Sequence, residues 1–161
     1  MKVEALFGLS VLMSFLAFAI VTKLYILPRL RVMQREEALL PLVVPHAFRF
    51  VGLSFLVPGV VSPSLSPAFA VPAAYGDLVA AILAMVATLS LSARVPWAIA
   101  LVWGFNVWGT VDLLNAIFQG QIGAVGPGSF GAAFFIPTLV VPALLVTHAL
   151  IFWLLLRPRK L

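Results

Sequence analysis

The sequence predicts an all-α polytopic membrane protein, a bundle of about five transmembrane helices with its N-terminus outside and its C-terminus in the cytoplasm. Three observations lead there. Of the 161 residues, 63% are hydrophobic and only 9% charged, with a mean hydropathy of +1.17; a soluble domain carries roughly 25% charged residues, because water must solvate its surface. The apolar residues gather into five runs long enough to cross a bilayer, which takes about 20 residues as a helix. The basic residues, finally, fall in alternate connections between those runs.

The first run covers 5–27 and is interrupted only by Lys23 near its end. A charged segment follows at 28–37, with Arg29, Arg31, Arg35, Glu36 and Glu37. The second run is 39–61, the third about 74–93, the fourth about 96–118 and the fifth about 132–156. Helices are expected because an open sheet leaves its edge hydrogen bonds unmade in lipid. A transmembrane barrel needs short strands of alternating polarity, and these runs are continuously apolar. Residues 62–72 hold three prolines among serines, and 120–131 hold five glycines, so both read as loops. Pro96 suits the first turn of the fourth helix.

Orientation follows from the basic residues. The connection between runs one and two has Arg29, Arg31 and Arg35, that between three and four has Arg94, and the tail has Arg157, Arg159 and Lys160. The other two connections have none. Alternate connections therefore agree, as five spans require; the expected location is a bacterial inner (plasma) membrane. Lys2, the apolar stretch and Ala17-Phe18-Ala19 suggest a cleavable signal peptide. The apolar run continues past that cut, however, and cleavage would turn the arginine-rich loops outward, so the segment is read as a retained span. The whole chain, 1–161, reads as one domain, without the internal repeat of many transporters.

The net charge of +5 does not point to nucleic acid, because the basic residues flank apolar runs instead of forming a stripe with aromatics. The chain has no cysteine, which excludes disulfides, thiolate metal sites and cysteine nucleophiles. No Ser–His–Asp arrangement, acidic magnesium cluster or nucleotide fingerprint can be placed.

Ionisable groups inside spans are costly and by default face the bundle interior. His46, Arg49, Asp77, Asp112 and His148 qualify, accompanied by Asn106, Thr110, Asn115 and Thr147. At a rise of about 1.5 Å per residue, His46 lies roughly 10 Å deep, Arg49 roughly 15 Å and His148 roughly 12 Å from the cytoplasmic side. His46 and His148 thus share a level. That suits two axial ligands of a haem, or equally two neutral histidines bonded to neighbouring helices. Arg49 stays protonated and needs a partner. Asp112 is the nearest intramembrane carboxylate, with an axial gap of roughly 9 Å, and the pair reads either as an anion- or proton-handling site or as a structural lock. On the fourth helix Phe105, Trp108, Asp112, Asn115 and Gln119 share a face, which could line a cavity. Asp77 reads as an interfacial residue or a helix N-cap after Tyr75-Gly76. Ala80, Ala84, Thr88 and Ser92 form a small-residue stripe for close helix approach.

In length and span number the chain resembles the tryptophan-rich sensory proteins of the translocator family, which bind porphyrins and sterols. With four tryptophans and no motif matched residue by residue, the likeness is architectural. The expected function is to bind a small ligand, or move a proton or solute, through Arg49, Asp112, His46, His148, Asn106, Asn115 and Trp108. The alternatives are a non-catalytic subunit that packs against a partner or a second copy, and haem binding through the two histidines.

Overall fold

The computed structural model describes residues 2–123 and 125–157, so Arg159 and Lys160 lie outside the described residues. Among the described residues it is all-helical in class, with 86% of them in helices and no strands. Five helices are long and apolar enough to cross a membrane: α1 Val3–Val32, α2 Arg35–Leu56, α3 Pro67–Ser92, α4 Ala98–Ile122 and α5 Ile136–Leu156. Their number agrees with the sequence, but several boundaries move.

Prolines set much of the local geometry. A proline has no N–H and collides with the carbonyl four residues earlier. Pro28 in α1 and Pro142 in α5 each follow a widened π turn, Thr22–Ile26 and Ile136–Val140, which takes that carbonyl out of the way. In α2, Pro41 and Pro45 interrupt the α ladder twice, one turn apart. The helix is α over Arg35–Val43 and then tightens into a 3₁₀ helix over Val44–Leu56. That length is unusual, since 3₁₀ runs beyond about four residues are uncommon.

Pro67 occupies the first turn of α3, where its missing N–H costs nothing, and Pro72 is carried inside the helix. The segment read as a loop therefore belongs in part to α3. The same helix ends in a Schellman turn. Val95 N–H reaches Ser90 O at 3.2 Å and Arg94 N–H reaches Leu91 O at 3.1 Å, with Arg94 itself left-handed at φ 53°. Pro96 lies just ahead of α4 instead of inside it, within the usual latitude of helix ends.

At the other end of the bundle the loops 57–66 and 125–135 are joined. Ala132 N–H donates to Val60 O at 2.7 Å and Ser62 N–H to Ser129 O at 3.0 Å. Gly131 sits at φ 52°, and a β-carbon there would collide with the Val60 carbonyl, so glycine is required.

The 3₁₀ half of α2 packs chiefly on α3, and α3 on α4. The fifth helix touches α4 and the first half of α2, whereas α1 leans on α5 and the segment before it. Phe7 of α1 stacks on Phe130 at 6.1 Å and meets Phe134 edge-on at 5.7 Å. Ala80 and Ala84 are wholly buried between α3 and its neighbours, so that part of the small-residue stripe serves packing within the chain, whereas Ser92 is exposed. Two apolar cores result. One, with Leu39, Val43, Ala84, Val102, Phe105 and Ile151, fills the arginine-rich end. The other, with Phe55, Phe69, Ala73, Phe130 and Ile136, fills the loop end.

Candidate functional site

A 3₁₀ helix has 3.0 residues per turn, so side chains at i and i+3 eclipse. In α2 the buried residues of the tightened segment are His46, Arg49, Gly52 and Phe55, three apart each time. An α-helix would swing each of them about 60° from the last. The 3₁₀ geometry instead stacks them in one line facing the bundle, and Arg49 stands between the two apolar cores.

Arg49 is 1% exposed. A guanidinium has five N–H donors in a rigid fork, and four hydrogen bonds and a further ion-pair contact engage them. Nε–H donates to Asp77 Oδ1 at 2.7 Å. Nη2 lies 2.7 Å from Asp77 Oδ1 and donates to Asp112 Oδ2 at 2.7 Å. Nη1 donates to Gly109 O at 3.1 Å and toward His148 Nε2 at 3.3 Å. Its hydrogen bonds are thus directed at Asp77, Asp112, Gly109 and His148. Asp112 is its partner, but so is Asp77, which the sequence placed at an interface. Because α3 begins at Pro67, Asp77 lies ten residues inside it, about 15 Å along the axis. Asp112 lies ten residues from the end of α4 at Ile122, also about 15 Å. Arg49 precedes Leu56 by seven residues of 3₁₀ helix, about 14 Å at a rise of about 2.0 Å. Three levels that the α-helical rise separated by several ångströms coincide.

The hydrogen bonds also set the tautomers. His148 Nε2 faces an arginine N–H and must present its lone pair, so Nδ1 carries the proton and donates to Asn106 Oδ1 at 2.7 Å. Asn106 Nδ2 returns a bond to His148 O at 3.3 Å. Thr147 gives its hydroxyl proton to the carbonyl of Ala143 or Leu144, so it accepts from His46 Nε2–H at 2.9 Å. His46 Nδ1 is buried with no hydrogen-bond partner among the described residues. His148, with its Nε2 lone pair toward Arg49, is neutral in this arrangement.

Their rings touch, with centroids 4.3 Å apart, and Phe105 lies against both. No porphyrin fits between rings in contact, and three of their four nitrogens are already bonded to protein, so the two histidines do not fit the axial positions of a haem. Among the described residues no group of three or more His, Asp or Glu side chains is placed to hold a metal ion.

Three glycines make the room. A β-carbon at Gly52 would collide with the Asp77 carboxylate, and one at Gly76 with that of Asp112. At Gly109 it would lie 2.7 Å from His148 Cε1 and 2.8 Å from Arg49 Nη1. Sequence reasoning missed all three, although each lies one residue or one turn from a charged or polar group. Two expected site residues are not brought in. The buried line of α4 runs through Val102, Phe105, Asn106, Gly109 and Leu113, which turns Trp108 and Asn115 away from the interior. Trp108 is 46% exposed and donates only a long 3.5 Å bond to Gly76 O.

The carboxylates border a cavity of about 630 Å³ between α1, α3, α4 and α5. It runs from Asp77 and Asp112 toward Glu4 and Gln121 at the loop end. Phe7, Phe15, Phe55, Phe69 and Phe130 supply aromatic walls, and Gly8 faces it with nothing within 4 Å of where its β-carbon would stand. The side chains of Asp77 and Asp112 retain 12% and 11% of their exposure. Arg49 does not line this space.

Residues 6–156 match a family described as a domain of unknown function, DUF8737, and the chain belongs to it. No curated protein and no solved structure matches the chain.

Proposed function

We propose that this chain is a multi-pass plasma-membrane protein, N-terminus outside and C-terminus in the cytoplasm, that binds a small ligand in the cavity bounded by Asp77 and Asp112. One observation carries the reading: an aromatic-walled cavity ends on the accessible side of a buried charge cluster. Binding sites are commonly concave and mostly apolar, with a few polar groups that fix orientation. An ionisable cluster set among apolar helices is expensive unless fully bonded, and marks a functional site by default.

Topology is tested first. The chain has no cysteine, so single introduced thiols report cleanly. A thiol at the exposed Ser64 (Ser64→Cys) is expected to react with a membrane-impermeant maleimide in intact cells, and one at the exposed Gln34 (Gln34→Cys) only after lysis. The reverse pattern would refute the orientation, and labelling of both in intact cells would refute insertion.

The cavity is tested with the neutral fluorophore N-phenyl-1-naphthylamine and protein in nanodiscs. A saturable component, one per chain, is expected above the partitioning into empty discs. Gly8→Trp has open space to grow into and should abolish that component without altering thermal stability. A wild-type signal indistinguishable from empty discs would sink the reading.

A further inference from the structure

We propose that the cavity takes a lipophilic organic monocation, an amine or an onium ion, whose charge rests on Asp77 and Asp112 and whose apolar body lies against Phe7, Phe69 and Phe130. This names the ligand class of the site described above and rests on that reading.

The first argument is a charge count. Arg49 is one positive charge against two carboxylates, and His148, the histidine that touches it, is held neutral by presenting its Nε2 lone pair to an arginine N–H. The cluster is one positive charge short of neutrality. Buried charge is strongly disfavoured unless compensated, so an occupant bearing one positive charge gains most here.

The second argument is direction. Arg49 is 1% exposed and is held by bonds to Asp77, Asp112, Gly109 and His148, so it is not free to turn and supply more. Asp77 accepts both its guanidinium contacts on Oδ1, and Asp112 accepts on Oδ2. The second oxygen of each accepts no hydrogen bond within the described residues, and both residues border the cavity. Among the described residues the only other ionisable one on its walls is Glu4, and no Lys, Arg or His lines it. An anion would meet three acids and no base.

The third argument is the wall. Aromatic faces attract cations through their quadrupole, and apart from the three acids and Gln121 the remaining lining is apolar. A small hydrated inorganic cation would lose its water without finding the several oxygen ligands that hard cations require. An organic cation carries its own apolar shell. The chemistry fits that class.

The probes are tetraphenylphosphonium, the near-isosteric anion tetraphenylborate and the neutral triphenylphosphine oxide, each titrated by equilibrium dialysis against nanodisc-embedded protein and empty discs. Tetraphenylphosphonium is expected to bind saturably, one per chain, at least about tenfold tighter than either other probe, a factor equal to about 1.4 kcal/mol. Asp112→Asn keeps an acceptor for Arg49 and leaves a neutral Arg49–Asp77 pair. It should weaken the cation about tenfold or more while N-phenyl-1-naphthylamine still binds. Should Asp112→Asn not fold, Glu4→Gln at the exposed mouth must weaken the cation about twofold and not the neutral probe. Equal or tighter binding of the borate or the oxide overturns the charge inference and leaves the cavity standing. Cation binding that survives Gly8→Trp also overturns it, because the ion is then bound elsewhere. Failure of every probe, N-phenyl-1-naphthylamine included, overturns both.

Discussion

Replacing Arg49 by methionine is expected to destabilise the folded protein by about 3–5 kcal/mol, the range for removing one member of a buried ionic cluster. Methionine fills a similar volume, so the loss does not come from a cavity. It comes from two carboxylates left facing each other among apolar helices, with the Gly109 carbonyl and His148 Nε2 also robbed of their donor. The control is the triple change Arg49→Met, Asp77→Asn, Asp112→Asn, which removes the uncompensated charge and should recover most of the loss. Unfolding in graded denaturing detergent, read by tryptophan fluorescence, gives both numbers. If the single change costs less than about 1 kcal/mol, within the range of ordinary substitutions, the cluster is not holding the four helices together. If the triple is as weak as the single, uncompensated charge is not the cause.

The cluster therefore joins the two roles that the sequence left as alternatives. Arg49 faces the protein and locks α2 to α3, α4 and α5, whereas the carboxylates face the cavity. Under the proposed function, structure and ligand binding are divided between the partners of a single ion cluster, and substitutions on its two sides should have different phenotypes. Changes at Arg49 should lower the amount of folded protein. Changes at Asp112, which keeps accessible surface, should alter what binds.

How much of this was legible depends on which rule applied locally. Five long apolar runs and alternate basic connections yield five helices because length and composition decide that question alone. Depth was less legible, and for two definite reasons. Reading 62–72 as a loop, on its prolines, delayed the start of α3 and lifted Asp77 to the surface. Pro67 is tolerated in the first turn, so the helix began seven residues sooner. Applying the α-helical rise to α2 then misplaced Arg49, because Val44–Leu56 is 3₁₀ and longer per residue. The sequence held a signal for it: His46, Arg49, Gly52 and Phe55 recur at threes after a pair of prolines spaced by four. The expected face of α4 differs from the buried one by about 100°, enough to point Trp108 and Asn115 inward when Asn106 and Gly109 take that place. Glycines gave no warning, since a missing side chain declares nothing until its neighbour is known.

That last point carries the second large effect. Gly109→Ala adds one methyl group to α4, and on helix propensity alone alanine should stabilise by about 1 kcal/mol. The opposite is expected. The new β-carbon would stand 2.7 Å from His148 Cε1 and 2.8 Å from both His148 Nε2 and Arg49 Nη1. Neither side chain has room to retreat: His148 is pinned by Asn106 and packed on His46, and Arg49 is held by four acceptors. Overpacking together with the loss of a charged hydrogen bond should cost about 2–4 kcal/mol. Gly104 supplies the control from the same helix, since it is exposed and nothing lies within 4 Å of its added β-carbon. Gly104→Ala should be neutral or slightly stabilising. The two variants carry the same chemical change on one helix and differ only in what the methyl group meets. Equal melting temperatures for Gly109→Ala and Gly104→Ala would mean that Arg49 and His148 are not packed against α4 as described.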